Sequence, residues 1–196
     1  MQDTDVVVSP YAQAPLRVVF RAGESGEWQI EEIRAVIGDG INRATRLAVE
    51  KIKLDSSPPS ANIAWELRGF TSNLRYTTRT EIQKMAPLTS GLGRPQARRA
   101  VLIPIRKSPG WWALPQDERR AIYEERSRHT SIGMEYMPKI ARRLHHSRDL
   151  GEPFDFLTWF EFAPDHQRDF DELLERLRAT EEWTYVDREV EIRLCS

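Results

Sequence analysis

FDFLTWFEFAPDHQRDFDELLERL, residues 154–177, is the stretch that decides the fold. Its first part, residues 154–162, is rich in aromatic and β-branched side chains, which favours a β-strand. From Pro164 onward, apolar residues recur at spacings of three and four and therefore share one face of a helix. These apolar residues are Phe170, Leu173, Leu174 and Leu177. The stretch predicts a strand followed directly by an amphipathic helix.

The flanking segments extend this pattern into a larger unit. Residues 98–107 form a short apolar run and are predicted to be a strand. Pro115 opens a predicted helix that ends at Pro138, because proline suits a first helical turn and disfavours helical geometry in the residue before it. Residues 139–146 are predicted to pair with the quoted strand as a hairpin, and Glu182 to Leu194 alternate as a final strand. The order β-α-β-β-α-β is that of a ferredoxin-like α+β fold.

The N-terminal part, residues 1–97, is interpreted as a shortened ferredoxin-like half that packs against a complete half, residues 98–196, in one compact unit. Its predicted elements are strands near 16–21, 27–36 and 62–77 and a short helix near 79–86.

Composition excludes several classes of protein. A net charge of −1 gives no basic field for nucleic acid, and no apolar run is long enough to span a membrane. Cys195 is the single cysteine, so a disulfide framework and a thiolate metal site are excluded. The first residues contain no pattern of a secretory signal, and a cytoplasmic location is expected.

Several residues of the C-terminal half are candidates for chemistry. His129 can ligate iron or zinc, although a histidine without a partner at ligand spacing is more often structural. His145 and His146 are neighbours on a predicted strand and point to opposite faces, so they cannot chelate one ion. Arg142 and Arg143 also alternate, and the one that points inward needs an anion because a buried unpaired guanidinium is too costly.

Pro138 separates two of these candidates. The break allows a large flat cofactor to lie between a helix that carries His129 and a strand that carries Arg142. Trp111 and Trp112 lie at a strand-to-helix junction, where paired tryptophans usually serve packing, although an indole N–H can also hold a carboxylate.

Residues 100–190 resemble the haem domain of chlorite dismutases. The motifs that carry the resemblance are KSPGWWALPQDERR, ARRLHHSRDLG, DFLTWFE and LRATEEWTYV, together with His129 followed by a threonine. The resemblance implies an enzyme with haem b that converts chlorite to chloride and dioxygen through an oxoferryl intermediate. The short N-terminal half is similar to the compact lineage of that family, which implies a homodimer of the dimeric α+β barrel type.

The resemblance also assigns roles to residues. It implies that His129 is the proximal iron ligand, that its second ring N–H meets Glu182, with Glu181 as the alternative, and that Lys107 joins this network. Arg142 matches the distal arginine. The implied cofactor contacts are Trp111, Asn73 and Tyr76 for the propionates and Leu144, Thr158, Phe160 and Leu173 for the distal wall.

Other functions stay open at this point. A coproheme decarboxylase or a haem peroxidase of the same superfamily shares the fold and the proximal histidine, and a non-catalytic haem-binding protein would need His129 equally. The decarboxylase branch lacks the distal arginine, so Arg142 favours chlorite as the substrate.

Overall fold

The computed structural model describes residues 17–52, 62–71 and 76–196, and within these ranges eight strands form a closed antiparallel barrel. The strands are β1 (Arg17–Gly23), β2 (Trp28–Ile37), β3 (Arg46–Ile52), β4 (Ile63–Phe70), β5 (Arg99–Lys107), β6 (Ala141–His146), β7 (Phe156–Phe162) and β8 (Val186–Cys195). The α-helices are α1 (Arg79–Met85), α2 (Pro109–Ala113), α3 (Gln116–Arg120), α4 (His129–Tyr136) and α5 (Gln167–Arg178). None of the described helices is both long and apolar enough to cross a membrane.

The strands follow the order β1-β3-β2-β8-β5-β7-β6-β4 around the barrel. The last four strands of the chain are therefore arranged as β8-β5-β7-β6, which places the fourth strand of that half beside its first and the third beside its second. The first four strands repeat this arrangement as β4-β1-β3-β2. The two sets join through β2 with β8 and through β4 with β6, where Phe70 pairs with His146.

Alternation along the strands produces two apolar cores. Phe20, Leu102, Trp159 and Ile192 belong to strands all around the barrel and fill its interior. The intervening residues of β5 and β7 point outward and are covered by α4 and α5. The apolar face predicted for α5 is confirmed, since all of its members are buried there: Phe170, Leu173, Leu174 and Leu177. The functional cavity lies on this outer side of the sheet.

The single helix predicted from Pro115 to Pro138 is wrong. α3 is followed by a π-helical segment, Ala121–Arg126, and the helix is interrupted at Arg128, whose φ is 54°. A new helix, α4, then starts at His129. The apolar periodicity of the sequence cannot reveal this break, because a left-handed residue here is neither glycine nor proline.

Two further boundaries and one whole strand differ from the sequence-based predictions. The final strand starts at Val186 rather than Glu182, because residues Glu181–Tyr185 form a 3₁₀ helix. The predicted strand 62–77 ends at Phe70. β3, RLAVEKI, was not predicted, since it contains mostly residues that favour helices, and pairing with β1 along its whole length overrides that preference.

His145 is a buried histidine of the barrel, and it should make the free energy of unfolding depend on pH. Its ring is 2% exposed, packs edge-on against Phe20 at 5.3 Å, and donates from Nδ1 to the Leu157 carbonyl at 3.1 Å. Burial lowers the pKa of His145 from 6.5 to about 4. Between these two pH values the unfolded chain binds a proton that the folded chain does not, so the free energy of unfolding should fall as pH falls, by up to about 3 kcal/mol.

Chemical denaturation from pH 7 to pH 4 measures this effect. His145→Gln, which keeps a donor without a titrating group, should flatten the dependence. If the free energy of unfolding of wild type and of His145→Gln fell equally with pH, another group would be responsible.

Candidate functional site

A cavity of about 1260 Å³, including its open mouth, lies between the outer face of the sheet and the helices α4 and α5. Most of its wall is apolar and comes from β5, β6, β7 and α5. The apolar lining includes Ile103, Ile105, Leu144, Phe160, Leu173 and Leu174. Its polar lining is sparse and includes His129, Glu182, Lys107 and Arg142. A largely apolar cavity with a few converging charged groups is typical of a ligand-binding site.

Local backbone geometry delivers His129 to this cavity. It is the first residue of α4, directly after the left-handed Arg128. The carboxylate of Glu124, in the preceding π-helical segment, accepts hydrogen bonds from the backbone N–H of Thr130 at 2.7 Å and of Ser131 at 3.3 Å. These bonds satisfy the free N–H groups of the new helix and fix its start. The helix break therefore places the His129 ring at the cavity wall.

A charged network holds the His129 ring. Nδ1 of His129 donates to Oε2 of Glu182 at 2.6 Å, and Nζ of Lys107 donates to Oε1 of Glu182 at 2.8 Å and to its backbone carbonyl at 3.1 Å. Burial alone would raise the pKa of Glu182, but His129 and Lys107 more than offset it and bring the pKa to about 2. Glu182 is therefore ionised at neutral pH, and because it engages Nδ1 of His129, Nε2 is the ring nitrogen that remains for a metal.

The structure also distinguishes the two candidate glutamates. Glu182 is 5% exposed, and its backbone N–H donates to the hydroxyl of Ser127 at 2.9 Å. Glu181 faces outward, and its carboxylate lies 3.3 Å from Nε of Arg126. The partner of His129 is thus Glu182, although on a 3₁₀ helix and not on the last strand.

Arg142 points into the cavity from β6, as strand alternation requires. On β6 and β7, Arg142 pairs with Phe160 and Leu144 with Thr158, and all four residues line the cavity. Arg143 pairs with Trp159 and does not line it. Among the described residues, no carboxylate forms an ion pair with Arg142. The cavity therefore contains a cation that is available to an anionic ligand.

Trp111 and Trp112 lie in two different environments. Trp111 is 1% exposed and lines the cavity, and its Nε1 is buried with no hydrogen-bond partner among the described groups. Trp112 lies outside the cavity and donates from Nε1 to Asp155 at 3.1 Å. Tyr76 lines the cavity and packs edge-on against Trp111 at 6.1 Å. Asn73 lies outside the described residues.

Comparison with known proteins identifies the family that shares these features. A sequence model of the family described as "Chlorite dismutase" matches residues 61–196, which is more than half of the chain and includes the whole His129 network and Arg142. The chain belongs to the chlorite dismutase family. A chlorite dismutase from Ideonella dechloratans is 31% identical over 106 residues, which cover 52% of this chain and 35% of that protein. The match thus spans about a third of that relative's length.

Solved structures of chlorite dismutases share the fold. The dimeric chlorite dismutase from Nitrobacter winogradskyi is 50% identical, with a TM-score of 0.83 over 91% of this chain and 99% of that chain. The enzyme from Candidatus Nitrospira defluvii, in a complex with imidazole, has a TM-score of 0.62 at 17% identity and covers 92% of this chain and 91% of that chain. At 17% identity, the similarity to the Candidatus Nitrospira defluvii structure shows a shared fold alone.

Sequence reasoning missed several residues of this chlorite dismutase family site. The ring of Tyr123 stacks on His129 at 4.5 Å, and burial is the main reason that the pKa of Tyr123 rises to about 12. The indole of Trp183 lies nearly parallel to the same imidazole at 6.5 Å. Asp155 accepts the backbone N–H of Lys107 at 2.7 Å and so fixes the end of β5. Asp155 and Trp183 lie within the motifs quoted above and Tyr123 lies three residues after one of them, so this proximity was the available signal.

Proposed function

We propose that this chain is a haem b enzyme that converts chlorite to chloride and dioxygen, with His129 as the iron ligand and Arg142 as the residue that binds the anion. One observation carries the proposal: the guanidinium of Arg142 forms no ion pair with any residue that the structure describes and lies in a mostly apolar cavity that also contains His129. A cation in such surroundings is suited to a small oxyanion, because its charge is little screened there.

The residues present fit a haem group. Nε2 of His129 is the nitrogen left for iron, since Nδ1 is engaged by Glu182. The Nε1–H of Trp111, which has no partner among the described residues, suits a carboxylate such as a propionate, and Tyr76 is adjacent. We assign Leu144, Thr158, Phe160 and Leu173 to the remaining wall. Haem, when bound, supplies the redox-active iron at which an oxygen atom of chlorite is transferred.

The protein residues perform four tasks in this proposal. Glu182 accepts a hydrogen bond from Nδ1 of His129, which increases the basicity of the imidazole as a ligand. Lys107 keeps Glu182 ionised and in place. Arg142 binds chlorite and retains the hypochlorite that remains after chlorite has given up one oxygen atom. If this hypochlorite escaped, it would be the product instead of chloride and dioxygen. The apolar wall excludes water, which would compete for the reactive oxygen.

We further propose that the chain is a homodimer and that residues 1–97 and 98–196 are two halves of one unit. The dimeric state named for the 50% identical structure from Nitrobacter winogradskyi supports the first point. The repeated strand order of the barrel supports the second. Sedimentation velocity of the haem-loaded protein should give twice the mass of 22.8 kDa.

An oxygen electrode tests the proposed activity. The chain loaded with haem should evolve one dioxygen for each chlorite consumed, whereas the same chain without haem should evolve none. A preparation with an intact haem spectrum that evolves no dioxygen would favour a non-catalytic haem-binding protein. Loss of coproheme carboxylates upon addition of peroxide would favour the decarboxylase alternative.

Replacement of Glu182 should weaken the bond to the cofactor. In Glu182→Gln the acceptor for the His129 N–H becomes a neutral amide, and we expect an approximately 10- to 100-fold loss of haem affinity or activity. Titration of the chain with haem, followed by absorbance, measures the affinity. Glu181→Gln is the matched control and should bind haem as wild type does; equal losses in both variants would contradict the assignment of Glu182.

A further inference from the structure

An ionic network is buried between α5 and β8, close to the His129 side of the cavity. Glu189 and Glu191 on β8 are both 0% exposed, and the guanidinium of Arg178 on α5 donates to both carboxylates. Arg34 and Arg193 complete the ion pairs of Glu191. Two buried carboxylates lose their hydration, and pairing them with arginines adds little net stability compared with apolar packing. Stability alone is therefore a weak reason for this network.

One end of the network reaches the cavity wall. The indole Nε1–H of Trp183 donates to Oε2 of Glu189 at 2.8 Å, and Nε of Arg178 donates to the other oxygen of Glu189 at 2.9 Å. Trp183 is 9% exposed and lines the cavity. Glu189 thus fixes the rotamer of Trp183, while Arg178 fixes Glu189.

Trp183 in turn limits the movement of the His129 ring. The hydrogen bond from Nδ1 to Glu182 holds one atom of the imidazole, and the ring can still tilt about the line from Cβ to Nδ1. The indole of Trp183 is 16° from the imidazole plane at a centroid distance of 6.5 Å, and the ring of Tyr123 is 23° from it at 4.5 Å. Two nearly parallel aromatic rings beside the imidazole oppose such a tilt.

We propose that Glu189 and Arg178 are positioning residues for His129, which act by holding Trp183 against the metal-binding ring. The inference rests on the proposed function of His129 as the iron ligand. It adds residues on α5 and β8 that do not line the cavity but set the orientation of the ligand ring.

The chain offers a matched pair of variants. Glu189→Gln and Glu191→Gln each remove one fully buried charge from β8 and one ion pair with Arg178, but only Glu189 contacts Trp183. Trp183→Phe removes the indole donor and keeps an aromatic ring. Thermal unfolding of each variant provides the loss of stability against which the other measurements are compared.

The first measurement uses the chain without haem and follows solvent exchange of the Trp183 indole N–H by NMR. Glu189→Gln should accelerate this exchange about 10-fold, since a charge-assisted hydrogen bond becomes a neutral one. Glu191→Gln should change it by less than about 3-fold, the spread expected for a contact that is not directly altered. Equal acceleration in both variants, or none in Glu189→Gln, would overturn the proposal.

The second measurement uses the haem-loaded protein and records the rhombicity of the ferric electron paramagnetic resonance signal, which depends on the orientation of the iron ligand. Glu189→Gln and Trp183→Phe should each shift the signal, Glu191→Gln should not, and Glu189→Gln should add nothing in the Trp183→Phe background. A further shift in that double variant would overturn the proposed route through Trp183. If the chain bound no haem, the proposed function would fail, while the exchange measurement would still test the contact between Glu189 and Trp183.

Discussion

His129→Ala is expected to abolish stable binding of haem. His129 lines the described cavity, and the hydrogen bond from its Nδ1 to Glu182 leaves Nε2 as the ring nitrogen that could bind iron. Its removal deletes the proposed iron ligand and leaves the carboxylate of Glu182 with Lys107 as its charged partner. Titration with haem should give no saturable Soret band at concentrations that saturate the wild type.

The fold of this variant should persist, because His129 begins α4 and does not belong to either apolar core. Circular dichroism and thermal unfolding of the chain without haem provide the control. Added imidazole should restore part of the haem spectrum, since it can occupy the emptied space and donate to Glu182. Wild-type haem affinity in His129→Ala would contradict the assignment of the iron ligand.

Arg142→Ala is expected to retain haem but to complete far fewer turnovers before it is inactivated. The substitution removes the Arg142 guanidinium from the cavity and leaves the His129 network intact. Without that charge, the hypochlorite fragment should escape and oxidise the protein. We expect a drop in kcat/KM of about 100-fold, in the range reported for removal of one preorganised charge-stabilising group.

A trap for hypochlorite measures the escape directly. Monochlorodimedone should consume hypochlorite during turnover by Arg142→Ala and should extend the life of this variant, but not that of the wild type. Arg143→Ala is the matched control, since the neighbouring arginine does not line the cavity, and should behave as wild type does. A trap that protects Arg142→Ala no better than wild type would show that Arg142 does not retain the fragment.

Local patterns in the sequence were sufficient for β7, for α5 and for the alternation on β6. The aromatic and β-branched content of residues 154–162 and the period of about 3.6 along α5 predicted a strand and a helix that both form, and alternation on β6 separated Arg142 from Arg143. These features depend on neighbouring residues alone. The motif resemblance placed His129, Glu182 and Lys107 together, which no local pattern could do.

Other features depend on contacts between distant parts of the chain. The interruption at Arg128 is stabilised by Glu124 on one side and by the network of His129 on the other. β3 forms because the edge of β1 is available to pair with it. The contact between Trp183 and Glu189 joins a 3₁₀ helix to a strand through a buried carboxylate, and its dependence on Arg178 becomes visible only in three dimensions.

Turnover of chlorite in ¹⁸O-labelled water, with mass spectrometry of the evolved gas, tests the central claim most directly. Both oxygen atoms of the product should come from chlorite, because the apolar cavity excludes water and Arg142 retains the fragment. We therefore expect unlabelled dioxygen in a ratio of one to one with chloride. Dioxygen that carries the label, or hypochlorite that accumulates in place of dioxygen, would contradict the account.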